Sequence, residues 1–388
     1  MTEFRTIKEL CTIVADCPHS TPKWTEQGRI VLRSNNIKHG WINLSAPSYT
    51  DEDNFQQRIK RAVPQSGDIV ITREAPMGEV GMIPDGVECC LGQRMVLLRA
   101  NSEICDNYYL LYSIQSTYVQ HQISWSEGTG TTVSNLRIPH LEQIKIPYVP
   151  LEKQKKIASV LKCIEEKIRN NQKINENLEQ QLHILFIKIF NGISTDVILG
   201  DVVDTTSGGT PSRKHTEYYE NGSICWVKSK ELLGNYILDT EEHINDIALS
   251  KSSAKLLPSH SVLIAMYGAT VGAHGIISKS MTCNQAVCAL LCNEKYPYTY
   301  LFQIAQEQQQ KLINMAVGSA QQNISQILIK QLLLHSDISS IRKFHDLALP
   351  LHKQIEELQA ENRTLSEMRD TLLPQLMSGE LDVSDIDL

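Results

Sequence analysis

No cysteine pair in this 388-residue chain stands as CxxC, no glycine is followed by lysine, and no two prolines are adjacent. Each absence excludes something. The ten cysteines, at 11, 17, 89, 90, 105, 163, 225, 283, 288 and 292, carry no zinc-ribbon or thioredoxin spacing. They read as thiols of a reducing cytoplasm rather than a disulfide scaffold. Cys288 and Cys292 fall in the apolar run AVCALLC and, with Cys11, Cys89 and Cys90, read as core. Without Gly-Lys there is no P-loop, and GxGxxG, HExxH and GxSxG are also missing. Without Pro-Pro there is no Asn/Asp-Pro-Pro-aromatic motif of amino-methyltransferases. No apolar run approaches the ~18–20 residues of a membrane span. The opening MTEFRTIKEL has no apolar h-region, so a secreted precursor is not expected. Glu165-Glu166-Lys167 contains the Glu-x-Lys of nucleases, but it falls on the charged face of a predicted helix and reads as solvated. The pattern is that of a chain that binds rather than one that catalyses.

Charge of one sign is also not in large excess. The formal net charge is −7, and residues 337–388 supply most of it, with 5 Lys/Arg against 11 Asp/Glu. Residues 1–150 hold 14 against 16, and residues 151–195 are basic at 8 against 5. A nearly neutral segment can still carry a local basic face, so the total does not exclude nucleic acid.

What the chain does have is a repeat. The run GDIVITREAPMGEVG ending at Gly81 corresponds to SVLIAMYGATVG ending at Gly272, with the second loop expected to be shorter. Gln93 before MVLL corresponds to Gln285 before AVCALL, and Thr21-Pro22 to Thr210-Pro211. Leu32–Ile37 corresponds to Val227–Leu232, and Gly128–Ser134 to Gly318–Ser325. The offsets cluster near 190, which is one duplicated unit and not a solenoid, whose repeats run ~20–50 residues. Predicted strands are 68–72, 94–99, 143–149, 224–228, 261–266 and 286–292. Predicted helices are 106–123 and 296–316.

Each unit is followed by a helical segment. Ile157, Leu161, Ile164, Ile168, Asn171, Asn175, Leu178, Leu182 and Leu185 step by 4 and 3 in alternation, a heptad seam. Phe344, Ala348, Leu351, Ile355, Leu358, Asn362, Leu365, Arg369 and Leu372 form a weaker one, interrupted by Pro350 and Pro374. The spacing predicts helices over about 151–190 and 351–376, the second with a short lead-in before Pro350, and each ending near glycine (Gly192, Gly379). Asn175 and Asn362 at matching places suggest that the seams pair with each other and that buried Asn fixes the register.

These residues resemble the specificity subunit of type I restriction–modification enzymes. The two Gly81 and Gly272 runs carry the likeness, with SGGTPS (207–212), PLEKQKKIA (150–158) and ENRTLSEMRDTLLPQLMSGEL (361–381). It spans essentially the whole chain. It implies an α+β fold, with two tandem duplicated α/β target-recognition domains separated by two long helices packed as an antiparallel coiled coil. The corresponding segments are domain 1 (1–150), a spacer helix (151–194), domain 2 (195–338) and a C-terminal spacer helix (339–388). The resemblance further implies double-stranded DNA as ligand, one half of a split site per domain, and no active site in this chain. Two methyltransferase subunits would dock on the helices and bring S-adenosylmethionine to methylate adenine. Two motor-nuclease subunits would bring ATP and Mg for cleavage.

Sequence readout needs Arg or Lys for guanine, Asn or Gln for adenine, and small polar groups on loops. The first unit offers Lys23, Arg33, Asn35, Asn36, Arg73, Thr131 and Thr132. The second offers Arg213, Lys214, Lys228, Lys230, Tyr267, Gln321, Gln322 and Asn323. The alternative for Arg73 is an ion pair with Glu74 or Glu79 that stabilises its loop. Gly208, Gly209, Thr210 and Pro211 suit a turn, and Trp24, Trp41, Trp125 and Trp226 are expected in cores. The rival readings are a fused enzyme, which lacks a cofactor motif, and a coiled-coil scaffold joining two protein-binding domains, which leaves the paired polar-basic loops without a role.

Overall fold

The computed structural model describes residues 3–125, 135–316 and 323–383. The chain forms two compact units, Met1–Ile168 with Thr364–Leu388, and Arg169–Arg363. Each unit takes a share of both long helices.

The first unit is built on an antiparallel sheet in the order 11–16, 95–100, 69–72, 80–82. Side chains alternate across a strand, and here both faces are covered. Ile69, Ile71, Val96 and Leu98 face a core with Tyr109, Leu110, Ile114, Ile157 and Leu161. Val70, Met95 and Leu97 face a second core with Leu32, Ile37, Ile83 and Leu91. Two buried faces explain why these strands read as unbroken apolar runs rather than alternating ones. The outer sheet runs 89–91, 29–32, 48–50, 24–25, with the first pair parallel. Arg58 ties this sheet to the loop before it by donating to the carbonyls of Leu91, Gly92, Ser20 and Pro18 at 2.9–3.3 Å.

The second unit repeats the plan. Strands 204–207, 287–291, 262–265 and 274–277 are adjacent in that order, extended by 236–237. Strands 243–244, 224–227 and 282–283 form the outer sheet, with 282–283 parallel to 224–227. The predicted strands all occur. The predicted helices each divide in two, 107–115 with 117–125, and 298–307 with 309–315, the first pair at Ser116 and the second at Gln308.

The hydrogen-bond pattern corrects the register of the duplication. Gly78 N–H donates to Thr72 O and Gly272 N–H to Ala265 O, and both glycines have positive φ. Gly272 is therefore the counterpart of Gly78, and Gly275 that of Gly81. The loop between strands is one residue longer in the second unit, not shorter. Gly81 has its own reason to lack a side chain: a Cβ there would lie 2.6 Å from Trp41 O.

The first long helix spans Leu151–Phe190, and every residue of its predicted seam is buried or half-buried. The second spans Ile338–Ser378 without a break at Pro350 or Pro374, correcting the predicted start at 351. Proline inside a helix costs ~3 kcal/mol. Ile341, Phe344 and Ala348 before Pro350, and His352 and Ile355 after it, are all buried, and that burial outweighs the cost. Both helices stop at a positive-φ glycine, Gly192 and Gly379.

Within each unit the two helices run antiparallel. In the first, Arg369 Nη1 donates to Glu165 Oε1 at 2.8 Å and Lys153 pairs with Asp382 at 2.9 Å. In the second, Asn171 Nδ2 donates to Asn362 Oδ1 at 2.9 Å and to Glu361 Oε2 at 2.7 Å, while Phe186 meets Phe344 at 5.4 Å. The seam asparagine that meets Asn362 is thus Asn171, not Asn175. Glu165 is buried in the seam rather than solvated, and Glu166 keeps the exposed face.

Candidate nucleic-acid interface

Both units place a cation at the same point. In the first unit the strand 29–32 runs into a single 3-10 turn, Ser34–Asn36; in the second, 224–227 runs into Ser229–Glu231. Arg33 and Lys228 precede these turns. Their backbone N–H groups donate to Asn36 Oδ1 (2.9 Å) and Glu231 Oε2 (2.7 Å). Each cation lies over an indole: Arg33 over Trp24 at 5.3 Å and Lys228 over Trp226 at 5.7 Å. A cation on a ring face is held at low entropic cost and still offers its donors. Trp24 is 46% exposed, which corrects its expected place in a core; Trp125 is also exposed, while Trp226 is buried.

In the first unit Asn35 is exposed beside Arg33. Asn36 is buried, and its Nδ2 donates to Asn43 O at 3.0 Å; both ends of its amide shape the turn. Lys23 is exposed and paired with Asp51 at 2.7 Å, a hydrogen bond that raises the lysine pKa and lowers that of the aspartate. Arg73 turns inward, its side chain only 12% exposed. Its guanidinium pairs with Asp16 at 3.0 Å and donates to Leu136 O at 2.9 Å and Asn135 Oδ1 at 3.3 Å. Its acidic partner is therefore neither Glu74 nor Glu79; Glu74 pairs with Arg94 at 3.0 Å.

In the second unit Arg213 lies 4.3 Å over the Tyr219 ring and pairs with Glu242 at 2.5 Å. Lys228 shares that carboxylate. Burial pushes Glu242 up, but hydrogen bonds from Lys228 and Arg213 outweigh it and hold the carboxyl below its ordinary range. Lys230 pairs with Glu241 at 2.6 Å, and Lys214 is exposed on the preceding loop. Tyr267 is exposed and forms an isolated antiparallel bridge with Asn323. Gly208 and Gly209 serve close approach: a Cβ on either would lie within 2.3 Å of Cys283 O or Ser253 Oγ. Thr131, Thr132, Gln321 and Gln322 lie outside the described residues.

The structure thus gathers Lys23, Arg33 and Asn35 around one sheet end, and Arg213, Lys228 and Lys230 around its counterpart. Carboxylates answer most of these cations, so each surface is a mixed donor–acceptor array rather than a bare positive patch. Such an array suits base edges, and a phosphate reaches Lys23, Arg213, Lys228 or Lys230 only by displacing Asp51, Glu241 or Glu242.

One cluster escaped the sequence reading. Asp239 Oδ1 accepts from Cys225 Sγ (3.2 Å) and meets His243 Nε2 (2.8 Å), while Arg363 donates to Oδ2. Burial pushes Asp239 up, but these donors and the Thr240 N–H hold its carboxyl far below the ordinary range. Cys225 and His243 are cross-strand partners, which no spacing motif reveals.

Two copies of one mixed unit, each with polar loops that rest cations on aromatic rings, define a duplicated recognition protein. The family model described as "Type I restriction modification DNA specificity domain" matches residues 2–180 and 194–335, and the chain belongs to that family. Over 348 residues it is 25% identical to the type I restriction enzyme MjaIX specificity subunit of Methanocaldococcus jannaschii, covering 82% of this chain and 79% of that one. It is 30% identical over 179 residues to the MjaVIII specificity subunit of the same organism, covering 45% and 42%. Its fold resembles the crystal structure of the type I restriction–modification S subunit of M. genitalium, with TM-score 0.59 and 18% identity over 96% of this chain and 95% of that one.

Proposed function

We propose that the chain is the DNA-specificity subunit of a type I restriction–modification complex and reads a bipartite site, one half per unit. The observation that carries this is the doubling: two copies of the family's recognition unit, each with a cation seated on tryptophan at the end of the same strand. Two recognition surfaces of one plan but different side chains suit two half-sites of different sequence.

In this reading the chain recognises and others act. Two methyltransferase subunits dock on the long helices and bring S-adenosylmethionine; two motor-nuclease subunits bring ATP and Mg. Adenine must leave the base stack to be methylated, at a cost of a few kcal/mol, so partner subunits must grip the duplex while this chain sets the place. The complex works on DNA in the cytoplasm. Among the described residues no helix is long and apolar enough to cross a membrane. A protein-binding scaffold would need neither the cations on tryptophan nor their repetition. The test is electrophoretic mobility shift with the cognate methyltransferase subunit. Tight binding of one bipartite duplex only when both proteins are present supports the reading; equal affinity for scrambled duplexes contradicts it.

A further inference from the structure

We propose that Cys225, Asp239 and His243 form a binding site for a divalent transition metal of the zinc type. Their three ligand atoms, Sγ, Oδ1 and Nε2, lie within 4.8 Å of one another. A mixed S/N/O set is what zinc takes, at ~2.3 Å to sulfur and ~2.0–2.2 Å to nitrogen and oxygen. Tetrahedral arms of that length put ligand atoms ~3.3–3.6 Å apart. The present separations are 3.2 Å for sulfur to oxygen and 2.8 Å for nitrogen to oxygen, so sulfur and nitrogen each need to draw back from that oxygen by only a few tenths of an ångström.

The scaffold fixes two of the three. Cys225 and His243 sit directly opposite on paired strands, so their side chains share one face. Asp239 arrives from the loop after strand 236–237, and Arg363 holds its other oxygen. That arginine is the kind of outer partner that orients a ligating carboxylate. Access exists: a groove of about 750 Å³, lined by Asp239, Thr240 and Glu241 among others, opens beside the aspartate. A fourth coordination position would be left to water.

The duplication supplies an internal comparison. Val227 corresponds to Leu32 at the strand end, so Cys225 corresponds to Ile30, whose cross-strand partner is Tyr49. Isoleucine offers no ligand atom. The first unit keeps the same strand pair without the site, so the fold alone does not demand these residues.

Binding would replace the Cys225 thiol proton with the metal and release that proton to solvent. It would exchange the two hydrogen bonds within the cluster for three coordinate bonds and clamp strand 224–227 to residues 239–243. Those residues carry Glu241 and Glu242, which hold Lys230, Lys228 and Arg213. The metal would thus stiffen the second recognition surface.

The test uses the full chain, stripped with a chelator and titrated with zinc against a chromophoric competitor, and separately loaded with cobalt. The expected result is one zinc per chain, a thiolate-to-cobalt charge-transfer band, and at least tenfold weaker zinc binding in Cys225→Ser and in His243→Tyr. Cys163→Ser, which removes an exposed thiol elsewhere, should bind as the unchanged chain does. Circular dichroism checks that the variants fold. Should Cys225→Ser not fold, His243→Tyr and the cobalt spectrum of the unchanged chain still decide. Zinc below one per chain, a cobalt spectrum without the thiolate band, or undiminished affinity in a folded variant overturns the site.

Discussion

Arg73 shows how much a side chain's role depends on what folds against it. In sequence it follows an apolar strand and precedes Pro76, a fair place to present a cation to DNA. In the structure three acceptors hold it, among them Asp16, 57 residues away in the chain. No local pattern could supply that partner. Hydrogen bonds to charged groups contribute ~1.5–3 kcal/mol, so Arg73→Ala should cost about that much stability and leave the methylated motif intact. Denaturant melts and motif mapping check it; a relaxed motif at full stability would return Arg73 to the DNA surface. Arg33 is the opposite case, exposed and seated on an exposed indole. Arg33→Ala should cost ~1–3 kcal/mol of discrimination at one position of the first half-site, read by competition with singly substituted duplexes. Buried histidines predict a pH response. His352 is pulled down to about 3 by burial, reinforced by His345 and His260; its Nδ1 lies 3.1 Å from the Tyr236 hydroxyl. Burial also lowers His274, His335 and His345. Below the unfolded value near 6.5 the unfolded chain takes up protons that the fold refuses. For His352, stability is therefore full above pH ~6.5 and is lost as pH falls toward 3, at up to ~1.4 kcal/mol per pH unit, and the other three act in the same direction. Urea midpoints at pH 7 and pH 5 should differ accordingly, and His352→Gln should reduce the difference.

At the scale of elements, periodicity was the strongest guide. The first seam was legible to the residue because nine positions alternate by 4 and 3 and the structure exposes none of them. The second was legible in register but not in extent. Pro350 reads as a helix start, and only the burial of Phe344, Ala348 and His352 around it reveals a continuous helix. Pro350→Ala should then stabilise the second unit, by up to ~3 kcal/mol, provided the restored N–H meets the carbonyl of Asp346; no gain in thermal midpoint would show that the helix is bent to suit the proline. The asparagines illustrate a further limit. Repeat arithmetic equates Asn175 with Asn362, but antiparallel helices do not bring equivalent positions together, and Asn171 makes the contact. The candidate metal ligands were invisible for the same reason: strand pairing, not spacing, joins Cys225 to His243.

At the scale of the whole molecule, duplication was legible early, because strand, turn and glycine signals recur in order about 190 residues apart. Its register is not: matching Gly81 with Gly272 pairs positions that the structure does not equate. Two V-G dipeptides look alike in sequence, and only the Gly78 and Gly272 hydrogen bonds distinguish them. The functional claim rests on the same duplication: two units of one plan, each answerable for one half-site. Genome-wide mapping of methylated adenine tests it most directly, in cells expressing the cognate methyltransferase subunit with either the native chain or one whose residues 1–150 come from another specificity subunit. The native chain should direct methylation to one bipartite motif, and the exchanged chain to a motif with one half altered and the other half kept. Both halves changing together, or neither, would contradict the account.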